Sequence, residues 1–290
     1  MDKYLSYFVE KYENDPRVSG ICAVLRPEKT NSLIDGFDLL LLIVTDVQMN
    51  GSSIFHYIKD DLHIQERWIS KVGLKSWVME GRNRNIIHWM LKGDLILDKD
   101  GYLSHIREWL QEFSQELREK RLFVEFSLFL RKFVQSKEYL EAGHVLDAYR
   151  NIMEALHHWA RITIIENGQH PEITVWNQVH SINPGVYKLY EELTSSVETL
   201  KERVELVQLA CEFSVMSKMR DCCAYLFRIM KSRKQPWSAN ELKEQLDRSL
   251  VYVEISLVLK MLLKRDLIQQ VLSPSFGDGS MREIRYKVAD

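Results

Sequence analysis

The chain has 290 residues, of which 46% are hydrophobic and 28% charged, and its formal net charge is −2. This composition predicts a folded globular protein of two or three domains and excludes a disordered chain. No apolar run approaches the ~20 residues of a membrane-spanning helix, and the charged start lacks the apolar core of a signal peptide. We therefore expect a cytoplasmic protein without a membrane partner, with its four scattered cysteines reduced and mostly buried.

The first hundred residues alternate between helical and extended patterns. An amphipathic helix is predicted up to Asp15-Pro16, followed by a strand over 18–25 and a polar loop. The stretch "DGFDLLLLIV" (35–44) then places Asp38 directly before six consecutive aliphatic residues. A short apolar run of this kind is typical of a strand buried on both faces, with the acidic residue at its exposed end.

A β-hairpin is expected next, because "SIFHYIK" and "LHIQERWIS" are strand-like runs joined tightly through Asp60-Asp61. Side chains of the second run should alternate between the two faces of the sheet. One face would carry Leu62, Ile64, Glu66 and Trp68, and the other His63, Gln65 and Arg67.

After Leu103 the pattern is helical for more than a hundred residues, with breaks at Gly168 and Pro184. Long helices with short connections predict an antiparallel bundle. The hinge 231–235 then precedes a capping box formed by Ser238 and Glu241. A second helix and two extended runs around a Gly-Asp-Gly turn follow, which is the element order of a winged helix-turn-helix. We therefore expect an α+β protein with domains at 1–104, 105–230 and 231–290.

The order helix, strand, polar loop and Asp-led strand resembles the nucleotidyltransferase superfamily, a small mixed sheet covered by helices. The resemblance implies a Gly-Ser pair after the first strand that approaches a phosphate. It also implies an Asp-x-Asp pair and a third carboxylate, which together hold two Mg²⁺ ions for displacement at the α-phosphate. Asp38 takes the first carboxylate position, and Leu40 takes the second. Arg26-Pro27 stands where the Gly-Ser pair would fall. The third carboxylate aligns with Gln65, one residue from Glu66.

The three-domain order as a whole resembles the nucleotidyltransferase-like protein family of Bacillus-type bacteria. From the superfamily resemblance, Asp38 and Glu66 are the candidate catalytic residues, Asp38 the candidate metal ligand and Mg²⁺ the candidate cofactor. Glu66 would complete the site only if a β-bulge turned it to the face of Asp38, since neighbouring strand residues point to opposite faces. The candidate nucleotide-binding residues are Arg26, Lys29, Gln65 and Arg67.

Two further motifs suggest nucleic acid as a partner. Arg150 precedes His157 by seven residues on one helix face, which is similar to the Arg-His motif of HEPN ribonucleases. The alternative is an exposed Arg and a His satisfied at the bundle surface. The last sixty residues carry 11 Lys and Arg against 8 Asp and Glu. The candidate nucleic-acid contacts there are Lys260, Arg282, Arg285 and Lys287.

Three hypotheses remain open from the sequence. The leading one is a pseudoenzyme that has lost the metal triad and still binds a nucleotide or nucleic acid. The second is an active metal-dependent nucleotidyltransferase that uses Asp38 and Glu66. The third is a DNA-binding regulator acting through its winged helix, although docking of that domain onto the rest of the chain or onto a second subunit explains it equally well. A homo-oligomer is compatible with all three.

Overall fold

The structure, a computed structural model, describes residues 2–26, 34–47, 52–80, 85–246, 253–274 and 282–289. The chain is α+β with a mixed sheet and many helices, as expected. It divides into two compact units, Met1–Ser114 and Gln115–Asp290.

The first unit is built on one mixed sheet of strand order β3-β4-β2-β1-β5, in which β2 and β4 run parallel and the other neighbours run antiparallel. Its helices are α1 (Asp2–Tyr12), α2 (Lys71–Glu80), α3 (Ile86–Lys92) and α4 (Tyr102–Glu112). Its strands are β1 (Val18–Leu25), β2 (Leu39–Thr45), β3 (Ser53–Lys59), β4 (Leu62–Ser70) and β5 (Asp94–Asp98).

Strand β2 is the centre of this unit, because all seven of its residues are buried. Leu39, Leu41 and Ile43 pack in one cluster with Phe8 and Tyr12 of α1. The alternate residues of β2 face the opposite side of the sheet, where α2 packs against β2 and α3 against β1. The aliphatic run at 39–44 is therefore a strand covered on both faces, as its composition predicts.

The β3–β4 hairpin has the bounds that the sequence indicates, and it turns through Asp60 and Asp61 with φ of 48° and 66°. Two consecutive residues with positive φ form a type I′ turn, whose twist matches that of the two strands. The hairpin aligns β4 beside β2 without a register shift, from the pair Leu39–Ile64 to the pair Thr45–Ser70.

Helix α4 belongs to the first unit, so this unit ends at Ser114 rather than at the expected residue 104. Leu103, Ile106 and Leu110 of α4 are buried. Arg107 donates to the backbone oxygens of Met90 and Gly93 at 2.7 and 2.5 Å, which joins α4 to the end of α3. A boundary at 104 would cut this helix in its first turn.

The second unit contains the helical bundle and the C-terminal segment together. The long pair α5 (Gln115–Glu141) and α6 (Val145–Glu166) forms its main helix contact. The other bundle helices are α7 (Val175–Ile182), α8 (Pro184–Ser195), α9 (Leu200–Ser214), α10 (Met219–Cys222) and α11 (Ala224–Met230), with a 3₁₀ turn at Met216–Lys218. Gly168 with φ 75° follows α6, and Pro184 begins α8, so both predicted breaks are present.

The C-terminal segment contains α12 (Ala239–Gln245) and α13 (Ile255–Lys264). Its strands β6 (Trp237–Ser238), β7 (Ile268–Pro274) and β8 (Arg282–Val288) form an antiparallel sheet of order β6-β8-β7. The capping box of Ser238 and Glu241 starts α12 as predicted. The Gly-Asp-Gly turn between β7 and β8 lies outside the described residues. All four cysteines are free and buried, as expected.

Candidate functional site

A tight turn places Asp38 directly before the first residue of β2. Asp35 and Gly36 have φ of 52° and 83°, and Phe37 N donates to Ile34 O at 3.0 Å. The side chain of Asp38 is 29% exposed and both of its oxygens are occupied. Oδ2 accepts from the backbone N–H of His63 at 2.9 Å, and Oδ1 accepts from Arg26 Nη1 at 3.2 Å.

These contacts stabilise the ionised form of Asp38. The backbone N–H of His63, followed by the side chains of Arg26 and His63, lowers the pKa of this carboxyl. The backbone N–H of Asp38 also donates to His63 O at 2.9 Å. Asp38 therefore ties the start of β2 to the start of β4, a neighbouring strand, and not to the turn that precedes it.

The other positions of the expected metal motif do not supply ligands. Leu40 is 0% exposed, and its cross-strand neighbour is Gln65, which is also buried. No group of three or more His, Cys, Asp or Glu side chains suited to a metal ion occurs in the part of the chain that the structure describes. One carboxylate already bonded to two protein donors does not fit the paired Mg²⁺ site of the superfamily.

Glu66 lies on the opposite face of the sheet from Asp38. Strand alternation puts it on the side of Ile64, which packs in the core cluster with α1. Its carboxylate is 1% exposed and accepts from Tyr12 Oη at 2.7 Å and Lys11 Nζ at 3.1 Å. The register between β2 and β4 is continuous, so no bulge turns Glu66 around. The structure thus does not bring Asp38 and Glu66 into one site, and it makes Glu66 a link between α1 and β4.

Gln65 and Arg67 share the face of Asp38 but are engaged with each other. Arg67 Nε donates to Gln65 Oε1 at 2.6 Å, Arg67 also pairs with Asp35, and its guanidinium lies 5.3 Å from the Trp89 ring centroid. Gln65 Nε2 is 3.3 Å from His56 Nε2. The predicted side of the strand is correct for both residues, while Lys29 lies outside the described residues. Of the two predicted nucleotide-binding cations that the structure describes, Arg26 is the more open to solvent, with 44% of its side chain exposed against 17% for Arg67.

The helical bundle contains a charged network that the sequence did not reveal. Glu125 of α5 is 2% exposed and meets two residues of α6. Arg161 Nε donates to its Oε1 at 2.6 Å, and His158 Nδ1 lies 2.8 Å from its Oε2. One helical turn before Glu125, Arg121 is fully buried and contacts His170 Nδ1 through Nη1 at 2.8 Å. Glu125, Arg161 and His158 thus meet between α5 and α6, and Arg121 and His170 form a second contact one helical turn away.

The two residues of the predicted HEPN-like motif have separate surroundings. Arg150 is 77% exposed and pairs with Glu154 at 3.3 Å. His157 lies against the ring of Trp176, with a centroid distance of 6.0 Å. The neighbouring His158 is the α6 histidine that contacts a buried carboxylate.

Two of the four predicted nucleic-acid contacts in the C-terminal segment are exposed, and Arg285 is engaged in ion pairs. It contacts Glu283 at 2.8 Å and Glu241 at 3.4 Å. Lys260 and Arg282 are exposed, and Lys287 is half-buried.

Helix α13 is attached to the bundle at both ends. At its start, Glu254 pairs with Arg131 of α5 at 2.5 Å, and the Glu254 backbone N–H donates to Ser127 Oγ at 3.3 Å. At its end, Arg265 pairs with Glu212 of α9 at 2.7 Å. The C-terminal segment is therefore docked on the bundle.

The mixed sheet with an Asp-led central strand, joined to a helical bundle, defines a protein of the nucleotidyltransferase-like class. Comparison with known proteins agrees. A family described as nucleotidyltransferase-like matches residues 1–118, and a YgxA-like substrate binding domain matches residues 119–218. The junction of the two matches lies close to the end of the first compact unit at Ser114.

Two relatives match along nearly the whole chain. The uncharacterized protein YgxA of Bacillus subtilis (strain 168) is 34% identical over 268 residues, which is 92% of this chain and 91% of the relative. The crystal structure of a nucleotidyltransferase-like protein from Exiguobacterium sibiricum 255-15 superimposes with a TM-score of 0.87 at 30% identity, covering 100% of both chains. The chain therefore belongs to the YgxA-like family of nucleotidyltransferase-like proteins. Among its described residues, no helix is long and apolar enough to cross a bilayer.

Proposed function

We propose that this chain is a nucleotidyltransferase-like protein with an incomplete metal site, which binds a nucleotide ligand without transferring a nucleotidyl group. The observation that carries this proposal is the environment of Asp38. Both of its oxygens accept from protein donors, and the partner positions hold Leu40 and Gln65. In-line displacement by two metal ions needs several carboxylates on one face, and Glu66 lies on the other.

Binding can persist where transfer is lost, because it depends on different groups. Arg26 at the end of β1 and Lys29, three residues further along the chain, supply positive charge for a phosphate. A family match to a substrate binding domain over 119–218 supports a retained ligand. Mg²⁺ bound to the triphosphate would contribute little to the binding affinity, because this protein's side chains would coordinate it only weakly.

The test is a titration of the purified full chain with nucleoside triphosphates, in Mg²⁺ and in excess EDTA, while binding and pyrophosphate release are followed together. We expect saturable binding of similar affinity under both conditions, and no pyrophosphate release. Asp38→Ala should keep this behaviour, with Glu10→Ala on the exposed surface of α1 as the matched carboxylate control.

Two outcomes would overturn the proposal. The first is Mg²⁺-dependent pyrophosphate release that is lost in Asp38→Ala and kept in Glu10→Ala, which would establish the active nucleotidyltransferase. The second is the absence of binding to every nucleotide at concentrations up to the millimolar range.

A second candidate function concerns the C-terminal segment. We infer a winged helix from the sheet order β6-β8-β7 with α12 and α13 inserted between β6 and β7. Its docked helix α13 and the pairing of Arg285 with Glu241 favour a role in holding the bundle over a role in reading DNA. Fluorescence anisotropy of the full chain with a labelled duplex tests this. Tight binding that weakens steeply with salt would instead support the DNA-binding regulator.

A further inference from the structure

The network around Glu125 places charge where the bundle gains little stability from it. Glu125 and Arg161 are 2% and 7% exposed, so both have lost nearly all their contact with water. A buried ion pair contributes little net stability compared with well-packed apolar side chains, because desolvation offsets the attraction. Arg121 adds a second buried cation, and its Nε atom has no hydrogen-bond partner in the described structure. Packing therefore does not account for these groups, and a different role does.

That role is the orientation of His158. Burial alone would raise the pKa of Glu125, but Arg161 and His158 together lower it to about 2, so the carboxylate is ionised. An ionised carboxylate can only accept hydrogen bonds. The Nδ1 atom of His158 must therefore carry the proton, and in the neutral ring Nε2 is left as an acceptor. A carboxylate that fixes a histidine tautomer in this way is a recurring feature of functional histidines.

The Nε2 atom remains available to a ligand. His158 is more open than Glu125 or Arg161, with 19% of its side chain exposed. Within the described residues, Nε2 makes no hydrogen bond and is not among the buried polar atoms that lack a partner. In its neutral form the ring is thus held by a buried carboxylate and presents an acceptor atom at the surface of the bundle.

An aromatic surface continues from this histidine. The ring of His157 lies 6.4 Å from that of His158 and 6.0 Å from that of Trp176. Trp176 in turn stacks on Tyr190 with centroids 4.2 Å apart and an interplanar angle of 24°. Both of these rings are partly exposed, so the surface joins three helices of the bundle, α6, α7 and α8.

We propose that His158, Trp176 and Tyr190 form a site for the base of a nucleotide that carries an exocyclic amino group, such as adenine. The base extends the Trp176–Tyr190 stack, and its amino group donates to His158 Nε2. A flat π-system with a hydrogen-bond donor at its edge is the ligand that matches both features. This inference rests on the proposed nucleotide binding and names the substrate class and the residues that select it.

The experiment compares adenosine triphosphate with inosine triphosphate by calorimetry on the full chain. Inosine replaces the amino donor by a carbonyl, which cannot donate to Nε2. We expect the wild type to bind the adenine nucleotide about ten-fold more tightly, the effect of one lost hydrogen bond in a site built for it. His158→Phe should abolish this preference, and Trp176→Leu should weaken both nucleotides about ten-fold through lost stacking. His180→Phe on the neighbouring helix α7 is the matched control and should behave as wild type.

A second measurement covers the case in which a variant fails to fold. In ¹⁵N-histidine-labelled wild type, the Nε2 resonance of His158 should shift with adenosine triphosphate and not with inosine triphosphate. If the wild type binds nucleotides but prefers neither base, or if His158→Phe and Trp176→Leu leave binding unchanged, the site is elsewhere and only this inference fails. If the wild type binds no nucleotide, the inference and the proposed function fail together.

Discussion

Replacement of Glu125 by alanine is the sharpest test of the buried network. The change removes the single carboxylate that contacts both Arg161 and His158, and it leaves Arg161 and Arg121 as buried cations without an anionic neighbour in the network. Removal of one partner from a buried pair costs about 3–5 kcal/mol in unfolding free energy. For a domain of this size that loss lowers the melting temperature by roughly 6 to 20 °C.

The matched control is Glu154→Ala on α6. Glu154 is 37% exposed and pairs with Lys132 at 2.6 Å and with Arg150 at 3.3 Å, so it also has two cationic partners. Because Glu154 remains in contact with water, Glu154→Ala should lower the unfolding free energy by less than about 1 kcal/mol. The melting temperature should fall by a few degrees at most. Burial, and not the number of partners, is therefore the variable that differs between the two variants.

The assay is thermal unfolding of each full-length variant, followed by the helical circular dichroism signal. If Glu125→Ala and Glu154→Ala lower the melting temperature equally, burial does not set the energetic loss at these carboxylates. A normal melting temperature in Glu125→Ala would mean that Arg121 and Arg161 reach water after the substitution.

Two further predictions concern the other carboxylates and the response to acid. Since the pKa of Glu125 is lowered from 4.5 to about 2 in the folded chain, its contribution to stability is complete above pH 4.5 and is lost as the pH falls toward 2. The free energy of unfolding of the wild type, measured with urea, should fall as the pH is lowered across that window. For Glu125→Gln it should fall less steeply. Glu66→Gln should leave nucleotide binding unchanged and lower stability by about 1 kcal/mol through its weaker bond to Tyr12. Loss of nucleotide binding in a folded Glu66→Gln protein would contradict its placement on the α1 face.

The strands of the first unit were predictable because their patterns are local. A continuous aliphatic run identifies β2, and alternation along β4 assigns Glu66 and Gln65 to opposite faces. The absence of a bulge was not predictable, since register depends on pairing with β2 and not on the sequence of β4 alone. The same limit applies to Asp38, whose partner His63 is set by strand pairing.

The network in the bundle was not predictable from the sequence, for a different reason. Glu125 and His158 lie 33 residues apart, and their contact depends on how α5 is rotated against α6. In a helical pattern, polar residues such as Arg121 and Glu125 indicate a solvated face. Here that stripe faces a second helix, so the pattern indicates exposure for side chains that are in fact buried. The end of the first unit was misplaced similarly, because α4 looks like the start of the bundle until its contacts with Met90 and Gly93 are known.

The attachment of α13 has a consequence for any nucleic acid that approaches the C-terminal segment. A duplex that reads the start of this helix must first displace Arg131 from Glu254, together with the buried Ile255 beside it. The docked form thus acts as a competing state, and the measured affinity falls in proportion to the fraction of molecules that are undocked. The surface ion pair between Arg131 and Glu254 stabilises the docked form by only about 1 kcal/mol or less. Arg131→Ala therefore changes the population of the undocked state and not the contacts that the segment makes once undocked.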